Sequence, residues 1–187
     1  MSGPGKVVYS MTSSLDGYIE DPDGNFDWSV PSEELHRFHN ERVAKTGAHL
    51  LGRNLYETML YWETPDPDWG EIEVEFAGIW QALPKIVFSS TLDAVEGKAR
   101  LATGSIEEEL ARVRSETEGD IGLGGATLAA AFARLDLIDE YDVFVAPVIV
   151  GGGKPFFPPL DDKQDLKLAE TRTFGEKVIN LRYVRDR

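Results

Sequence analysis

Asp120-Ile121-Gly122-Leu123-Gly124-Gly125-Ala126-Thr127, read together with Val150-Gly151-Gly152-Gly153-Lys154-Pro155-Phe156-Phe157 further on, decides how this chain folds. Ile121 to Leu123 reads as the end of a buried strand and Ala126 to Leu135 as the helix that follows. The two glycines between them clear every side chain from the turn. Backbone N–H groups at a helix N-terminus point outward unpaired and carry partial positive charge, so such a turn can hold a diphosphate without a cationic side chain. A glycine pair also serves simply to permit a tight turn with positive φ. The rest of the chain has to decide between these readings.

Two common nucleotide-binding patterns are excluded. Gly122-Leu123-Gly124 begins the Rossmann fingerprint, but its third glycine would fall at Thr127, and the turn lies late in the chain instead of after the first strand. No Gly-Lys-Ser/Thr occurs at P-loop spacing from a glycine.

With 187 residues, 42% of them hydrophobic, residues 1–187 read as one domain with a sizeable core, residues 1–5 being flexible. The absence of cysteine excludes a disulfide framework, a thiol nucleophile and a Cys-based zinc site. No apolar run reaches membrane-spanning length, and Met1-Ser2-Gly3-Pro4-Gly5 lacks the apolar stretch of a signal peptide, so a cytoplasmic protein is expected. The 33 acidic and 19 basic residues give a formal charge of −14, which repels nucleic acid and anionic membrane. A negatively charged ligand therefore needs locally placed Arg, Lys or helix N-termini.

Strands and helices alternate along the chain. Lys6–Thr12 reads as a strand that Leu15–Glu20 can extend, before the turn-rich Asp21-Pro22-Asp23-Gly24-Asn25. Ser32 is placed to cap a helix reaching Lys45, with Glu33 and Glu34 in its first turn. Ala48–Gly52 reads as a short buried strand and Arg53–Leu60 as a helix. Beyond the loop Pro65–Gly70, Glu71–Leu83 reads as a helix and Lys85–Ser89 as a strand. Ser105 with Glu108 forms a capping box for a helix ending near Thr117, just before strand Asp120–Leu123. Glu140–Val150 is a nearly continuous apolar run, as in a strand covered on both faces. Leu166–Phe174 and Lys177–Arg185, joined by Gly175-Glu176, alternate as a hairpin. The pattern predicts an α/β fold with a mixed sheet.

The motifs, in their order, resemble a family. Leu15-Asp16-Gly17-Tyr18-Ile19 with a polar loop ending at Trp28, then Leu51-Gly52-Arg53-Asn54-Leu55-Tyr56-Glu57-Thr58, then Ile86-Val87-Phe88-Ser89-Ser90, then Gly124-Gly125 are similar to the dihydrofolate reductase-like superfamily. Within it, Ser14-Leu15-Asp16-Gly17, the Gly-Gly-Ala-Thr-Leu turn and Ala146-Pro147-Val148 leading to Gly151 through Phe157 look closer to the C-terminal reductase domain of the bacterial riboflavin-biosynthesis deaminase-reductase. The resemblance covers essentially the whole chain, and the deaminase half is absent. It implies a three-layer domain: a mixed, mostly parallel sheet flanked by helices, with a C-terminal antiparallel hairpin. It also implies NADPH bound across the carboxyl ends of the strands.

By this resemblance Gly52, Arg53 and Asn54 open the helix beside the adenosine 2′-phosphate, a dianion that a guanidinium fork suits better than an ammonium does. Ser89 and Ser90 match the pair that reaches the same region. Gly124, Gly125, Ala126 and Thr127 match the diphosphate turn, where the family commonly has a cis Gly-Gly bond. Leu55 departs from the polar residue that follows the Gly-Arg pair in true dihydrofolate reductases. Each position also has a plain reading: an exposed helix-end Arg, an ordinary Ser-Ser turn.

On the substrate side, Asp16 corresponds to the segment beside the nicotinamide and can hydrogen-bond a ribose or relay a proton, or simply form a turn with Gly17. Trp28 matches the aromatic that ends the lid. Glu33 is the near match to the carboxylate that folate reductases use to assist protonation, and alternatively a solvated residue favouring the helix dipole. Arg37 and Lys154 are candidates for a substrate phosphate. His36 and His39 share a helical face with Glu33, but zinc needs more ligands than this and no metal is expected. Trp62, Trp69 and Trp80 read as loop anchors or core, or as a stacking surface for a planar substrate.

The favoured reading is an NADPH-dependent oxidoreductase of the 5-amino-6-(5-phosphoribosylamino)uracil reductase type, acting on a pyrimidine-type small molecule. A dihydrofolate or pteridine reductase of the same fold is the alternative enzyme. A non-catalytic nucleotide-binding regulatory protein is the alternative of another class. The apolar strand at 140–150 and the hairpin after it, in so acidic a chain, predict a homodimer using sheet-edge or hairpin surface.

Overall fold

The computed structural model describes residues 5–157 and 159–187. Apart from Gly5, the flexible amino terminus expected over residues 1–5 lies outside the described residues. The chain runs β1 (Val7–Ser13), β2 (Tyr18–Glu20), α1 (Glu33–Val43), β3 (Thr46–Gly52), α2 (Arg53–Met59), α3 (Glu71–Ala82), β4 (Lys85–Phe88) and β5 (Ala99–Leu101). It continues α4 (Ile106–Glu116), β6 (Asp120–Gly124), α5 (Ala126–Arg134), β7 (Glu140–Val145), β8 (Lys154–Pro155), β9 (Leu166–Phe174) and β10 (Val178–Arg185). The caps read from the sequence are present: Ser32 Oγ accepts from the Leu35 N–H, and Ser105 and Glu108 close the capping box of α4.

Eight strands form one sheet in the order β5-β4-β3-β6-β1-β7-β10-β9. β4 pairs parallel with β5 and β3, β6 with β3 and β1, and β1 with β7. β10 runs antiparallel to both β7 and β9. β2 and β8 pair separately as a short ribbon. The result is the mixed, mostly parallel three-layer arrangement with a C-terminal antiparallel hairpin.

Two expectations are corrected, and one strand was not foreseen. The strand at Glu140–Val150 ends at Val145, because Pro147 has no N–H for the ladder and Val148 N already bonds back to Ala146 O. Leu15–Gly17 is a turn instead of strand, closed by Gly17 N on Ser14 O, and only Tyr18–Glu20 is extended. β5, three residues beside β4, was too short to show a period.

The register gives the sheet two unlike faces. Val7, Tyr9, Leu50, Ile121 and Leu123 pack against Leu110 and Val113 of α4 and Leu128 and Phe132 of α5, all buried. A fully buried side chain of this size contributes about 1.5–3 kcal/mol. On the opposite face one row of neighbours is Lys85, His49, Gly122, Val8 and Glu140, and the next contains Ser10, Asp142 and Arg182. Leu51, Phe76, Trp80 and Val87 fill one end of that face, and Leu35, Phe144 and Phe174 the other. Its buried charges are partnered. Asp142 pairs with Arg42 and accepts from Ser10 Oγ at 3.2 Å and Asn180 Nδ2 at 2.5 Å, while Lys85 Nζ donates to Trp80 O and Leu83 O.

Candidate functional site

β3 and β6 are neighbours, and each runs directly into a helix at its carboxyl end. Gly52 caps α2 and Gly125 caps α5, neither with a side-chain hydrogen bond. At α5, the first-turn N–H groups therefore face the cleft without a side-chain competitor. Gly125 has φ +95, a conformation that suits glycine, although a β-carbon there would come no nearer than 3.7 Å to Gly52 N. Gly124 is constrained by the opposite cause: its added β-carbon would overlap Leu55 Cδ2 and stand 3.2 Å from His49 Cε1. The cis Gly124–Gly125 bond that the resemblance implied is absent, and no peptide bond among the described residues is cis; the positive φ of Gly125 makes the turn with a trans bond.

These elements border a cleft of about 560 Å³ lined by Gly52, Arg53, Asn54, Ser89, Ser90, Gly125, Thr127 and, from β8, Lys154. Ala126 is buried in the first turn of α5 behind it. Arg53 is half exposed; its Nε donates to Glu57 at 2.8 Å and its Nη1 to Thr91 Oγ1 at 2.8 Å. Ser89 Oγ accepts from the N–H groups of Thr91 and Leu92, turning the chain after β4 so that Thr91 reaches Arg53. The sequence reading missed Thr91, because its partner is 38 residues away.

A second cavity, about 910 Å³, lies beneath α1 on the polar face of the sheet. It meets the first at Met11, Thr12, Phe26, Leu55, Thr58 and Met59, which line both. His49 lies on the sheet side, where the missing side chain of Gly122 makes room for its ring; a β-carbon at 122 would stand 2.5 Å from His49 Cδ2. Trp62, Phe76, Trp80, His36 and His39 contribute the other walls. His36 meets Trp62 and Phe76 at its edges, and His49 meets Trp80. Burial pushes the His39 and His49 imidazoles down to about 4, and lowers His36 against the pull of Glu73 and Glu75. The chamber thus offers uncharged imidazoles and hydroxyls at neutral pH.

Asp16, Glu33, Trp28 and Arg37, expected at the substrate site, line neither cavity. Asp16 accepts from the N–H groups of Val150 and Gly151, tying the turn after β1 to the Gly-rich loop; a hydrogen bond from Ser14 foremost holds its carboxyl below the usual range. Glu33 and Arg37 pair with each other at 2.9 Å on the exposed side of α1, because the inward side carries Leu35, His36 and His39. Trp28 lies in the short 3-10 turn Asp27–Ser29 with Nε1 buried and unpartnered, while Phe26 and Ser29 on either side of it face the junction. Ser10 and Thr12 were signalled by their alternation with Tyr9 and Met11, but nothing local said which face would be hollow. Among the described residues no helix is long and apolar enough to cross a membrane.

Residues 5–180 match the RibD C-terminal domain family. The chain is 31% identical over 183 residues to YwjB of Bacillus subtilis (strain 168), covering 96% of this chain and 98% of that one. It is 29% identical over 181 residues to YyaP of the same organism, covering 95% and 94%; both are uncharacterized proteins. A putative riboflavin biosynthesis protein from Shewanella sp. PV-4 has a similar structure, with TM-score 0.79 at 25% identity over 97% of this chain and 99% of that one. The fold is shared with a diaminohydroxyphosphoribosylaminopyrimidine deaminase/5-amino-6-(5-phosphoribosylamino)uracil reductase from Thermotoga maritima, TM-score 0.69 at 18% identity, over 98% of this chain and 57% of that one. Dihydrofolate reductase from Enterococcus faecalis shares it too, with TM-score 0.65 at 17% identity over 100% of both chains.

Proposed function

The chain belongs to the RibD C-terminal domain family, and from that premise we propose that it is an NADPH-dependent reductase of the riboflavin-pathway type, acting on a planar nitrogen heterocycle. The observation that carries the reading is the junction: a glycine-capped cleft suited to an anion opens at Thr12 into an aromatic chamber suited to a flat ring. When bound, NADPH supplies a hydride. The residues of the chain do the rest. The first-turn N–H groups of α5, with Gly125 and Thr127, hold the diphosphate; Arg53 with Ser89, Ser90 and Thr91 holds the adenosine 2′-phosphate. Met11, Leu55 and Met59 exclude water at the junction, and Thr12 supplies a hydroxyl there. The protein therefore contributes orientation and electrostatics, and a pterin of similar shape is the alternative substrate.

Titration of NADPH and NADH, followed by nicotinamide fluorescence, tests the cofactor half; cofactor oxidation with uracil-type and pterin-type heterocycles tests the other. NADPH is expected to bind tighter than NADH and to be oxidised only when a heterocycle is present. Binding of neither cofactor overturns the reading, and tight binding without oxidation by either class makes the protein a non-catalytic nucleotide binder. We also infer self-association through β9, the sheet-edge strand exposed along most of its length. A sedimentation mass near the 20.8 kDa of one chain at micromolar concentration would count against that.

A further inference from the structure

A phosphorylated substrate needs a cation to meet its phosphate, and in a chain of charge −14 that cation has to be placed deliberately. Among the described residues, the chamber lining provides no cation near the junction that is free of a carboxylate partner. Arg42 pairs with buried Asp142, and Arg182 is shared between Glu140 at 3.4 Å and Glu170 at 3.1 Å. Lys154, on the cleft side, faces Glu20 at 3.9 Å. Lys45 lies at the far end of the chamber with Thr46 and Asp120, the amino ends of the strands, about 20 Å of strand from Thr12. Arg37, the one other cation that the sequence suggested for this task, pairs with Glu33 on the outside of α1. The partly exposed charged residue on the aromatic wall is instead an acid, Glu73 of α3.

We propose that the chamber selects an uncharged planar nitrogen heterocycle whose substituent carries no phosphate, and that Glu73 is a specificity-determining residue that disfavours phosphorylated forms. The inference rests on the reading of this chamber as the substrate site of a reductase, and it departs from the phosphoribosyl substrate named for the Thermotoga maritima protein. Neutral groups line the interior: the hydroxyls of Ser10 and Thr12 and the imidazoles of His36, His39 and His49. Such groups can hydrogen-bond ring carbonyls and ring nitrogens, and the faces of Trp62 and Trp80 can pack against the ring. A dianion beside Glu73 would lose its hydration and meet a like charge on the aromatic wall.

The test is a pair of calorimetric titrations with 5-amino-6-ribitylaminouracil and its 5′-phosphate, which share a heterocycle and a polyol and differ in the dianion. Each is run on wild type, Glu73→Lys and Glu73→Gln, with and without NADP+, whose own titration reports separately on folding and on the reductase reading. The unphosphorylated compound is expected to bind roughly tenfold tighter, the effect of one like-charge contact. Glu73→Lys should erase or reverse that gap, and Glu73→Gln should narrow it. Equal or tighter binding of the phosphate, or binding of neither compound while NADP+ still binds, overturns the proposal. A gap unchanged in both variants overturns the role of Glu73.

Discussion

The two faces of the eight-stranded sheet come from the same strands and bury different things. Toward α4 and α5, Tyr9, Leu50, Leu123 and Phe132 are each at most 1% exposed, and the space between sheet and helices is filled with side chains. Toward α1 and α3, the same strands present Ser10, Thr12, His49 and Asp142, two glycines and a cavity of about 910 Å³. A hollow face forgoes dispersion contacts and apolar burial, so the packed face has to supply most of the stability. The contrast teaches how one sheet can hold the fold from one side and keep an open cavity on the other.

The largest expected effect tests the packed face. Phe132→Ala removes a ring with no exposed surface and should lower stability by roughly 3–5 kcal/mol in denaturant unfolding. A loss below 1 kcal/mol would mean that the face is not the principal core.

Acid should separate the two faces by their pH windows. His39 and His49 titrate near 4 in the fold against 6.5 ordinarily, so the unfolded chain takes up protons first. Their neutral burial is fully compatible with stability above pH 6.5 and increasingly opposed as the pH falls toward 4. The slope is up to about 1.4 kcal/mol per pH unit for each histidine. Glu109 on α4 behaves otherwise. Burial pushes its carboxyl up, but the Thr103 and Gly104 N–H groups and Arg100 outweigh this and hold it near 2. Its contribution is present above about pH 4.5 and lost only below it. Urea midpoints measured between pH 7 and 5 should therefore fall, with His36 adding to the fall, and His39→Phe should remove about a third to a half of it. A flat profile over that range would mean that the chamber histidines are solvated.

Gly124→Ala sets the added β-carbon against Leu55 and should destabilise by about 1–3 kcal/mol, since Leu55 must move. Leu55→Ala in the same chain should recover part of that loss in a double-mutant cycle. Strict additivity would show that the two residues do not share the space. Gly125→Ala, by contrast, meets no crowding and suffers only from φ +95, so its effect should fall on the turn and on NADPH affinity more than on packing.

The smallest effect belongs to the cleft rim. Arg53 is half exposed and already shared with Glu57 and Thr91, which places Arg53→Ala at the low end for a charged hydrogen bond, about 1.5 kcal/mol. NADPH affinity should drop about tenfold and NADH affinity hardly at all. Equal weakening of both would assign Arg53 to the fold or to the diphosphate.

Much of the fold was legible because its signals are local. Ser32 and the Ser105–Glu108 pair announced two helix starts, and Gly124-Gly125 announced the strand-to-helix turn. The placement of Asp16, Glu33 and Arg37 outside both cavities has an equally local cause. Each had a nearer partner than a substrate, in the Val150–Gly151 backbone for the first and in one another for the other two.

The sequence alone determined the alternation of strands and helices, the glycine-capped turn and the antiparallel close of the sheet, all set by residues within a few positions of one another. Tertiary structure alone decided that His49 would meet Gly122, that Thr91 would reach Arg53 and that the hollow would lie under α1. Those contacts depend on the register between parallel strands far apart in the chain, and strands covered on both faces do not announce from local pattern which side will be packed and which left open.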